Sequence, residues 1–238
     1  MNYAVIDTES NGLFGYSKPA DAPGQPRMAA LGLILVNEAL EIEAEHDFLI
    51  RPDGWTFDNT SDAAKVNGLT HELLMAEGID VREALRLYGE AIDQRRIIAG
   101  FNVPHDIKQL RAELRYVGYP DRFMQTRTIC AMQGCRQIVD ARTADGRKKA
   151  PKLEEAVKHF GIEVPGGIHS ALPDAHKALE ILRKLREAGE FPSYSDPYDK
   201  PAKKQPAPRP GPLLQDGRPD AEQKMPGFPG RNTGGIEK

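Results

Sequence analysis

The chain has 238 residues, 39% of them hydrophobic and 28% charged, which predicts one folded domain of ordinary size with some length to spare. The formal net charge of −3 excludes a protein that attracts nucleic acid by its overall charge, so binding to a polyanion would need a local basic patch or bound metal ions. No apolar run is long enough to span a membrane, the first residues form no secretory signal, and the two cysteines fit no zinc pattern, so we expect a cytoplasmic protein without membrane contact.

The predicted elements begin with a group of strands and then alternate in type. In chain order they are strands at Tyr3–Asp7, Met28–Val36 and Ile42–Arg51, two short helices within Ser61–Ala76 broken at Asn67, an amphipathic helix after Asp80, a strand at Ile97–Phe101, a helix from about Asp106 to Val117, a strand or helix start at Arg127–Met132, and helices at Leu153–Phe160 and Asp174–Ala188. A long loop, Asn11–Pro26, follows the first strand. This order predicts an α/β fold with helices packed on a mixed sheet.

The composition changes sharply near Phe191. Ten of the nineteen prolines follow this residue, and no apolar periodicity continues beyond it. Such a segment cannot bury enough apolar surface to offset the entropy that ordering costs. We therefore predict a folded domain over residues 1–190 and a disordered, Pro/Gly-rich tail over residues 191–238.

Two carboxylates, Asp7 and Glu9, close the first apolar strand. Because side chains alternate across a strand, residues two apart project from the same face. Carboxylates so close repel each other unless a cation lies between them or one is protonated. A pair of this kind is a candidate metal site, and the alternative interpretation is a solvated strand end.

Asp106 follows the apolar strand IIAGF at the point where the chain turns into a helix. The carboxyl ends of strands in α/β sheets are where such folds place ligands. The alternative is that Asp106 caps a helix that begins at Ile107.

The segment HSALPD places His169 five positions before Asp174. Asp174 opens the last predicted helix, and His169 lies in the preceding loop. A loop histidine beside a fixed carboxylate suits a base that takes a proton from water. The alternative is a capping aspartate next to a surface histidine.

Taken together and in this order, the motifs VIDTES, FNVPHD and HSALPD resemble those of the DnaQ-like 3′→5′ exonucleases, in their DEDDh subgroup. The segment KVNGLTHELL is similar to the family's helices between the first and second motifs. The resemblance covers about residues 3–188. The subgroup depends on His169, because the sister subgroup has a tyrosine at the position of Ser170. The chain departs from the family pattern at Phe101 and His105, which look exchanged.

The resemblance implies a ribonuclease H-like fold: a five-stranded sheet of three antiparallel and then two parallel strands, with helices on both faces. It also implies hydrolysis with two Mg²⁺ or Mn²⁺ ions. Asp7, Glu9 and Asp174 would hold one ion, and Asp7 with Asp106 the other. His169 would take the proton of the attacking water.

Contacts to nucleic acid are expected in the turn after the first motif and in the basic run GRKKAPK. Leu13 or Phe14 stacks against the terminal base, or both pack onto the domain; the basic run contacts phosphates, or is a solvated loop. The expected contact residues are Ser10, Gly12, Leu13, Asn102, Lys148 and Lys149.

The expected substrate is the 3′ end of single-stranded DNA. The main alternative is an exoribonuclease of the same family, because the same five residues serve both. A second alternative is a proofreading or binding subunit that the tail tethers to a polymerase or another replication partner.

Overall fold

The computed structural model describes residues 1–15, 17–164 and 171–196. The strands in these ranges are β1 (Tyr3–Ser10), β2 (Met28–Val36), β3 (Ile42–Leu49), β4 (Ile97–Gly100) and β5 (Thr128–Cys130). The α-helices are α1 (Asp62–Asn67), α2 (His71–Glu77), α3 (Val81–Asp93), α4 (Val103–Tyr116), α5 (Ala131–Cys135), α6 (Leu153–Phe160) and α7 (Ala171–Glu187). A single 3-10 turn, Phe123–Gln125, precedes β5.

The five strands form one sheet in the order β3-β2-β1-β4-β5. Strand β2 pairs antiparallel with both β1 and β3, whereas β4 pairs parallel with β1 and β5 pairs parallel with β4. This confirms the predicted sheet of three antiparallel and then two parallel strands.

The sheet separates two apolar cores, because alternate side chains of each strand point to opposite faces. Val5 and Ala99 belong to the core under α5, α6 and α7. Ala4, Ile6 and Ile98 belong to the core under α3 and α4. Helices therefore cover both faces, as predicted.

The helices that carry Asp106 and Asp174 begin earlier than predicted. Helix α4 begins at Val103 rather than near Asp106, and α7 begins at Ala171 rather than at Asp174. Each helix has a proline in its first turn, where proline is tolerated because the first backbone N–H groups have no partner within a helix. Asp106 therefore lies inside the first turn of α4, and its interpretation as the cap of a helix from Ile107 is wrong.

The C-terminal residues that the structure describes continue along the sheet past position 190. The ring of Phe191 packs edge-on against Tyr3 at 5.9 Å between centroids, and Ser195 pairs with Thr128 of β5. The division at 190 stays a prediction, and the remainder of the predicted tail, from residue 197, lies outside the described residues. In the described ranges, no helix combines the length and apolar character of a bilayer span.

Candidate active site

Three carboxylates meet at the end of β1. Asp7 and Glu9 share one face of the strand, and Asp174 approaches them from the first turn of α7. One carboxylate oxygen from each residue lies within 4.8 Å of the other two. The strand period that places Asp7 beside Glu9 is visible in the sequence, but their meeting with Asp174 is a product of the tertiary fold.

Gly32 allows α7 to reach the carboxylates. It lies opposite Asp7 in the pairing of β1 with β2. A Cβ atom at this position would lie 2.4 Å from the carbonyl oxygen of Ala171 and 2.6 Å from Cα of Leu172. Since backbone atoms cannot move aside as a flexible side chain does, only glycine permits the first turn of α7 to lie this close to the sheet.

Asp106 joins the site from the other side of β1. Its Oδ1 accepts hydrogen bonds from the backbone N–H of Thr8 at 3.0 Å and from the Thr8 hydroxyl at 2.8 Å. Thr8 lies between Asp7 and Glu9 on the strand, so one residue separates the two strand carboxylates and fixes the third. Asp106 is 4% exposed.

Burial, joined at Asp7 and Glu9 by the charges of neighbouring carboxylates, raises the pKa values of three of the four carboxylates. Burial, followed by the negative charges of Asp106, Asp174 and Glu9, raises the pKa of Asp7 well above its ordinary value. Burial and then the charge of Asp174 raise the pKa of Glu9 to about 8. Burial likewise raises the pKa of Asp106 to about 7, although its hydrogen bonds from Thr8 lower it. A nearby cation stabilises the charged form of such carboxylates, so the cluster favours cation binding.

Two polar side chains that the sequence reasoning missed contact this cluster. Lys177, one turn further along α7, donates from Nζ to Oδ1 of Asp174 at 2.6 Å. Asn67, at the end of α1, hydrogen-bonds the Glu9 side chain and donates to the Ser10 carbonyl at 3.4 Å. The sequence showed Asn67 only as a helix breaker and Lys177 only as one polar residue of an amphipathic helix, so neither carried a recognisable signal.

The turn that follows Glu9 in the chain exposes one apolar side chain. Ser10 donates its hydroxyl hydrogen to the carbonyl of Gly12 at 2.7 Å, which tightens the turn. Leu13 follows and is 91% exposed. Phe14 is 6% exposed and packs against His105, with 5.6 Å between the ring centroids. Of the two candidates for base stacking, Leu13 faces solvent and Phe14 packs onto the domain.

The long loop after this turn is fastened to α4. Its ends are joined by Gln25, which both accepts from and donates to the backbone of Gly15. Asp21 pairs with Arg115 of α4 at 2.7 Å. At the end of the loop Arg27 binds Glu113 of α4, whose side chain is 1% exposed. The helix that carries Asp106 and the loop that follows Glu9 are therefore held as one unit.

The remaining predicted contact residues lie on other elements. Asn102 is exposed at the N-terminus of α4 and its side chain makes no capping hydrogen bond. Lys148 donates to Gln137 at 3.4 Å, and Lys149 pairs with Glu155 at the start of α6. His169 lies outside the described residues.

The donors of the cluster fit divalent cations. All are carboxylate oxygens, which Mg²⁺ and Mn²⁺ prefer, and three of them are close enough to share one ion. Asp106 is not part of this three-residue group, but its Oδ1 is held by Thr8, the neighbour of Asp7 on β1. The site therefore has the chemistry for metal-assisted hydrolysis of a phosphate ester.

Solved structures with the same fold include nucleases. E. coli exonuclease I in complex with a dA16 oligonucleotide is 17% identical, with a TM-score of 0.63, and the match covers 80% of this chain and 42% of that one. Its complex with a dT13 oligonucleotide gives 17% identity and a TM-score of 0.64, over 78% and 41%. A 3′-exonuclease that recognises the 3′ end of the histone mRNA stem-loop gives 15% and 0.60, over 80% and 83%. The chain thus spans about two fifths of exonuclease I, and at these identities the likeness shows the fold.

Sequence comparison identifies the family. The chain matches no curated protein. The family model of the RNase T exonucleases, described as Exonuclease, matches residues 4–182, a span that includes Asp7, Glu9, Asp106 and Asp174. Since this match covers most of the chain and the fold agrees, the protein belongs to the DnaQ-like exonuclease family of the ribonuclease H-like superfamily.

Proposed function

We propose that the protein is a metal-dependent exonuclease that removes nucleotides from the 3′ end of single-stranded DNA. The observation that carries this proposal is the meeting of Asp7, Glu9 and Asp174 within 4.8 Å in a member of an exonuclease family. Carboxylates packed this closely repel one another, and a bound divalent cation relieves that repulsion.

In this proposal the carboxylates divide the work between two cations. Asp7, Glu9 and Asp174 hold one Mg²⁺ or Mn²⁺ ion, and Asp7 with Asp106 holds the other. When bound, the ions supply Lewis-acid chemistry that lowers the pKa of the attacking water and stabilises the leaving 3′ oxygen. Thr8 contributes by directing its two hydrogen bonds to one oxygen of Asp106, so that the other oxygen keeps its orientation.

We assign the role of general base to His169. It precedes Ala171, the first residue of α7, by two positions, and so belongs to the segment that leads directly to Asp174. An imidazole titrates near neutral pH and suits removal of a proton from water. The variant His169→Ala keeps every carboxylate, so it should bind Mn²⁺ as the wild type does while kcat falls by roughly 10²–10⁴-fold.

The substrate end is proposed to lie in the turn after β1. Leu13 is exposed in the turn that follows Glu9 and offers an apolar surface to the terminal base, and the hydrogen bond from Ser10 to Gly12 tightens this turn. Asn102, Lys148 and Lys149 are the proposed contacts to the sugar-phosphate backbone. Single-stranded DNA is favoured because E. coli exonuclease I, which shares the fold, was crystallised with dA16 and dT13.

Digestion of end-labelled strands tests the proposal. Single-stranded DNA with a 5′ label should give a ladder that shortens with time, whereas a 3′ label should be released at once as a mononucleotide. Both reactions should need Mg²⁺ or Mn²⁺ and stop with EDTA. Asp174→Asn should abolish them, and the matched variant of an exposed aspartate, Asp145→Asn, should not. Mononucleotide release from the 5′ label, or undiminished activity in EDTA, would contradict the proposal.

RNA is the second candidate substrate. The observation in its favour is the shared fold with the 3′-exonuclease of the histone mRNA stem-loop, which matches over 83% of its length. Strands of the same sequence, one in DNA and one in RNA, should be compared by kcat/KM. A higher value for DNA supports the proposed substrate, and a higher value for RNA replaces it with an exoribonuclease.

A further inference from the structure

Lys177 is an unusual lysine for the surface of a helix. Its Nζ lies 2.6 Å from Oδ1 of Asp174, and its side chain is only 16% exposed, while that of Asp174 is 5% exposed. A comparable i,i+3 pair further along α7, Lys184 with Glu187, is 42% and 66% exposed. Withdrawing an ammonium group from water is costly unless a negative charge compensates it. The buried pair therefore needs an explanation that the exposed pair does not.

The carboxylates around Lys177 supply that explanation. Asp174, whose Oδ1 accepts the hydrogen bond from Lys177, has a carboxylate oxygen within 4.8 Å of those of Asp7 and Glu9, so the positive charge lies close to the whole group. With all four carboxylates ionised the site carries four negative charges, and one ammonium group reduces this to three. The ammonium group of Lys177 and the expected metal ion would therefore share the carboxylate of Asp174.

We propose that Lys177 is an internal counter-ion of the carboxylate cluster, which stabilises the metal-free fold and weakens the binding of divalent cations to Asp174. This inference rests on the proposed function, because it takes the cluster to be the metal site. The ammonium group relieves repulsion among the carboxylates when no metal is present. It also occupies one oxygen of Asp174 and repels an arriving cation, so that the site binds its metal reversibly rather than with the full affinity of four carboxylates.

The test is a set of three variants measured without reference to turnover. Lys177→Met keeps the length and the apolar stem of the side chain but removes the charge. Lys177→Arg keeps the charge, and Lys184→Met removes a charge from the exposed pair of the same helix. For each full-length protein, thermal melting is recorded in EDTA, and Mn²⁺ affinity is measured from the loss of the free-ion EPR signal.

Lys177→Met should melt at a lower temperature than wild type in EDTA and bind Mn²⁺ more tightly. Even with the screening of bulk water, a divalent and a monovalent cation that share one carboxylate repel each other enough to change the affinity by about tenfold. Lys177→Arg and Lys184→Met should stay close to wild type in both measurements. The opposite signs of the two effects are the signature, because a purely structural lysine would lower both stability and affinity.

Unchanged or weaker Mn²⁺ binding by Lys177→Met would overturn the proposed role of Lys177 as a counter-ion. An unchanged melting temperature of this variant in EDTA would overturn it too. Failure of the wild type itself to bind Mn²⁺ would overturn the proposed metal site and the affinity half of this inference. The melts in EDTA still decide the other half, since they need no metal. The two failures are therefore distinguishable.

Discussion

The backbone amide and the hydroxyl of Thr8 donate to the same oxygen of Asp106, at 3.0 and 2.8 Å, across 98 positions of sequence. This contact joins β1, which carries Asp7 and Glu9, to the first turn of α4. Because a hydrogen bond to an ionised carboxylate favours its charged form, Thr8 opposes the burial that raises the pKa of Asp106 to about 7.

Thr8→Val should lower the rate of hydrolysis near neutral pH, and the rate should recover at alkaline pH. Valine has the shape of threonine and keeps the backbone N–H, but its side chain cannot donate, so the pKa of Asp106 should rise further and leave more of the carboxyl protonated at pH 7. A hydrogen bond to a charged group contributes about 1.5–3 kcal/mol, so we expect a rate loss of about tenfold or more at pH 7. The measurement is the rate of nucleotide release at pH 7 and pH 9 with Mg²⁺ well below saturation, where protons and metal compete for Asp106. Thr8→Ser keeps the hydroxyl and is the control; equal rates for the two variants at pH 7 would refute the role of this bond.

The metal-free protein should lose stability as pH rises from about 5.5 to 8.5. The folded pKa of Glu9 is raised from 4.5 to about 8 and that of Asp106 from 3.8 to about 7, so in this window the folded state holds protons that the unfolded chain has released. Stability falls with pH wherever the folded state binds more protons, and the loss is complete only above the folded pKa values.

Thermal melting in EDTA at the two pH values measures this effect. Each kcal/mol corresponds to about 2–4 °C for a chain of this size. Glu9→Gln should flatten the dependence, and Mg²⁺ should raise the melting temperature more at pH 8.5 than at pH 5.5, because it replaces the protons. A metal-free protein that is as stable at pH 8.5 as at pH 5.5 would show that burial and mutual repulsion do not raise the pKa values of these carboxylates.

Gly32→Ala should damage the site without touching a carboxylate. The added Cβ would lie 2.4 Å from the carbonyl oxygen of Ala171, so α7 must shift away from the sheet and take Asp174 with it. Overpacking of this kind costs about 1–3 kcal/mol, and a displacement of about 1 Å costs about 10²-fold in rate. The free energy of unfolding in urea and kcat both report the change.

The matched control is Gly89→Ala in α3, where the nearest atom would be the end of the Arg122 side chain at 3.9 Å. It should keep full activity and gain about 0.5–1 kcal/mol, since alanine favours helix. If Gly32→Ala behaves as this control does, the approach of α7 does not depend on glycine.

Much of the fold was accessible from local sequence patterns. The bounds of β2 and of α6 agree with the predicted ranges, because β2 is a continuous apolar run and α6 is strongly amphipathic. The short helix α5 begins at Ala131, within the segment Arg127–Met132 that was predicted as a strand or a helix start, but its extent to Cys135 was not predicted because five residues are too few to show a period. Strand β1 extends to Ser10, beyond the predicted Asp7, because β2 provides backbone partners further than the apolar run alone suggests.

The candidate site, too, was predicted from the sequence only in part. The strand period predicts that Asp7 and Glu9 share one face of β1. The position of Asp106 after β4 predicts that it lies at the edge of the sheet where ligands bind. The approach of Asp174 required the family resemblance, since no local pattern reveals that Gly32 admits α7. Thr8 contacts Asp106, which is distant in sequence, and Lys177 lies on a polar helix face but points into the fold. Only the tertiary structure could reveal these contacts.

The most direct test of the central claim is a paired measurement on Asp7→Asn: its rate of nucleotide release from single-stranded DNA with Mg²⁺, and its melting temperature in EDTA. Asparagine keeps the shape and removes a charge at the centre of the cluster, so metal-assisted catalysis worth several kcal/mol should be lost and the rate should fall by about 10³-fold or more. Relief of repulsion should leave the metal-free melting temperature unchanged or raise it. Asp145→Asn, an exposed aspartate, should match wild type in both. Near wild-type turnover by Asp7→Asn, or a loss of activity that accompanies a loss of stability, would contradict the account.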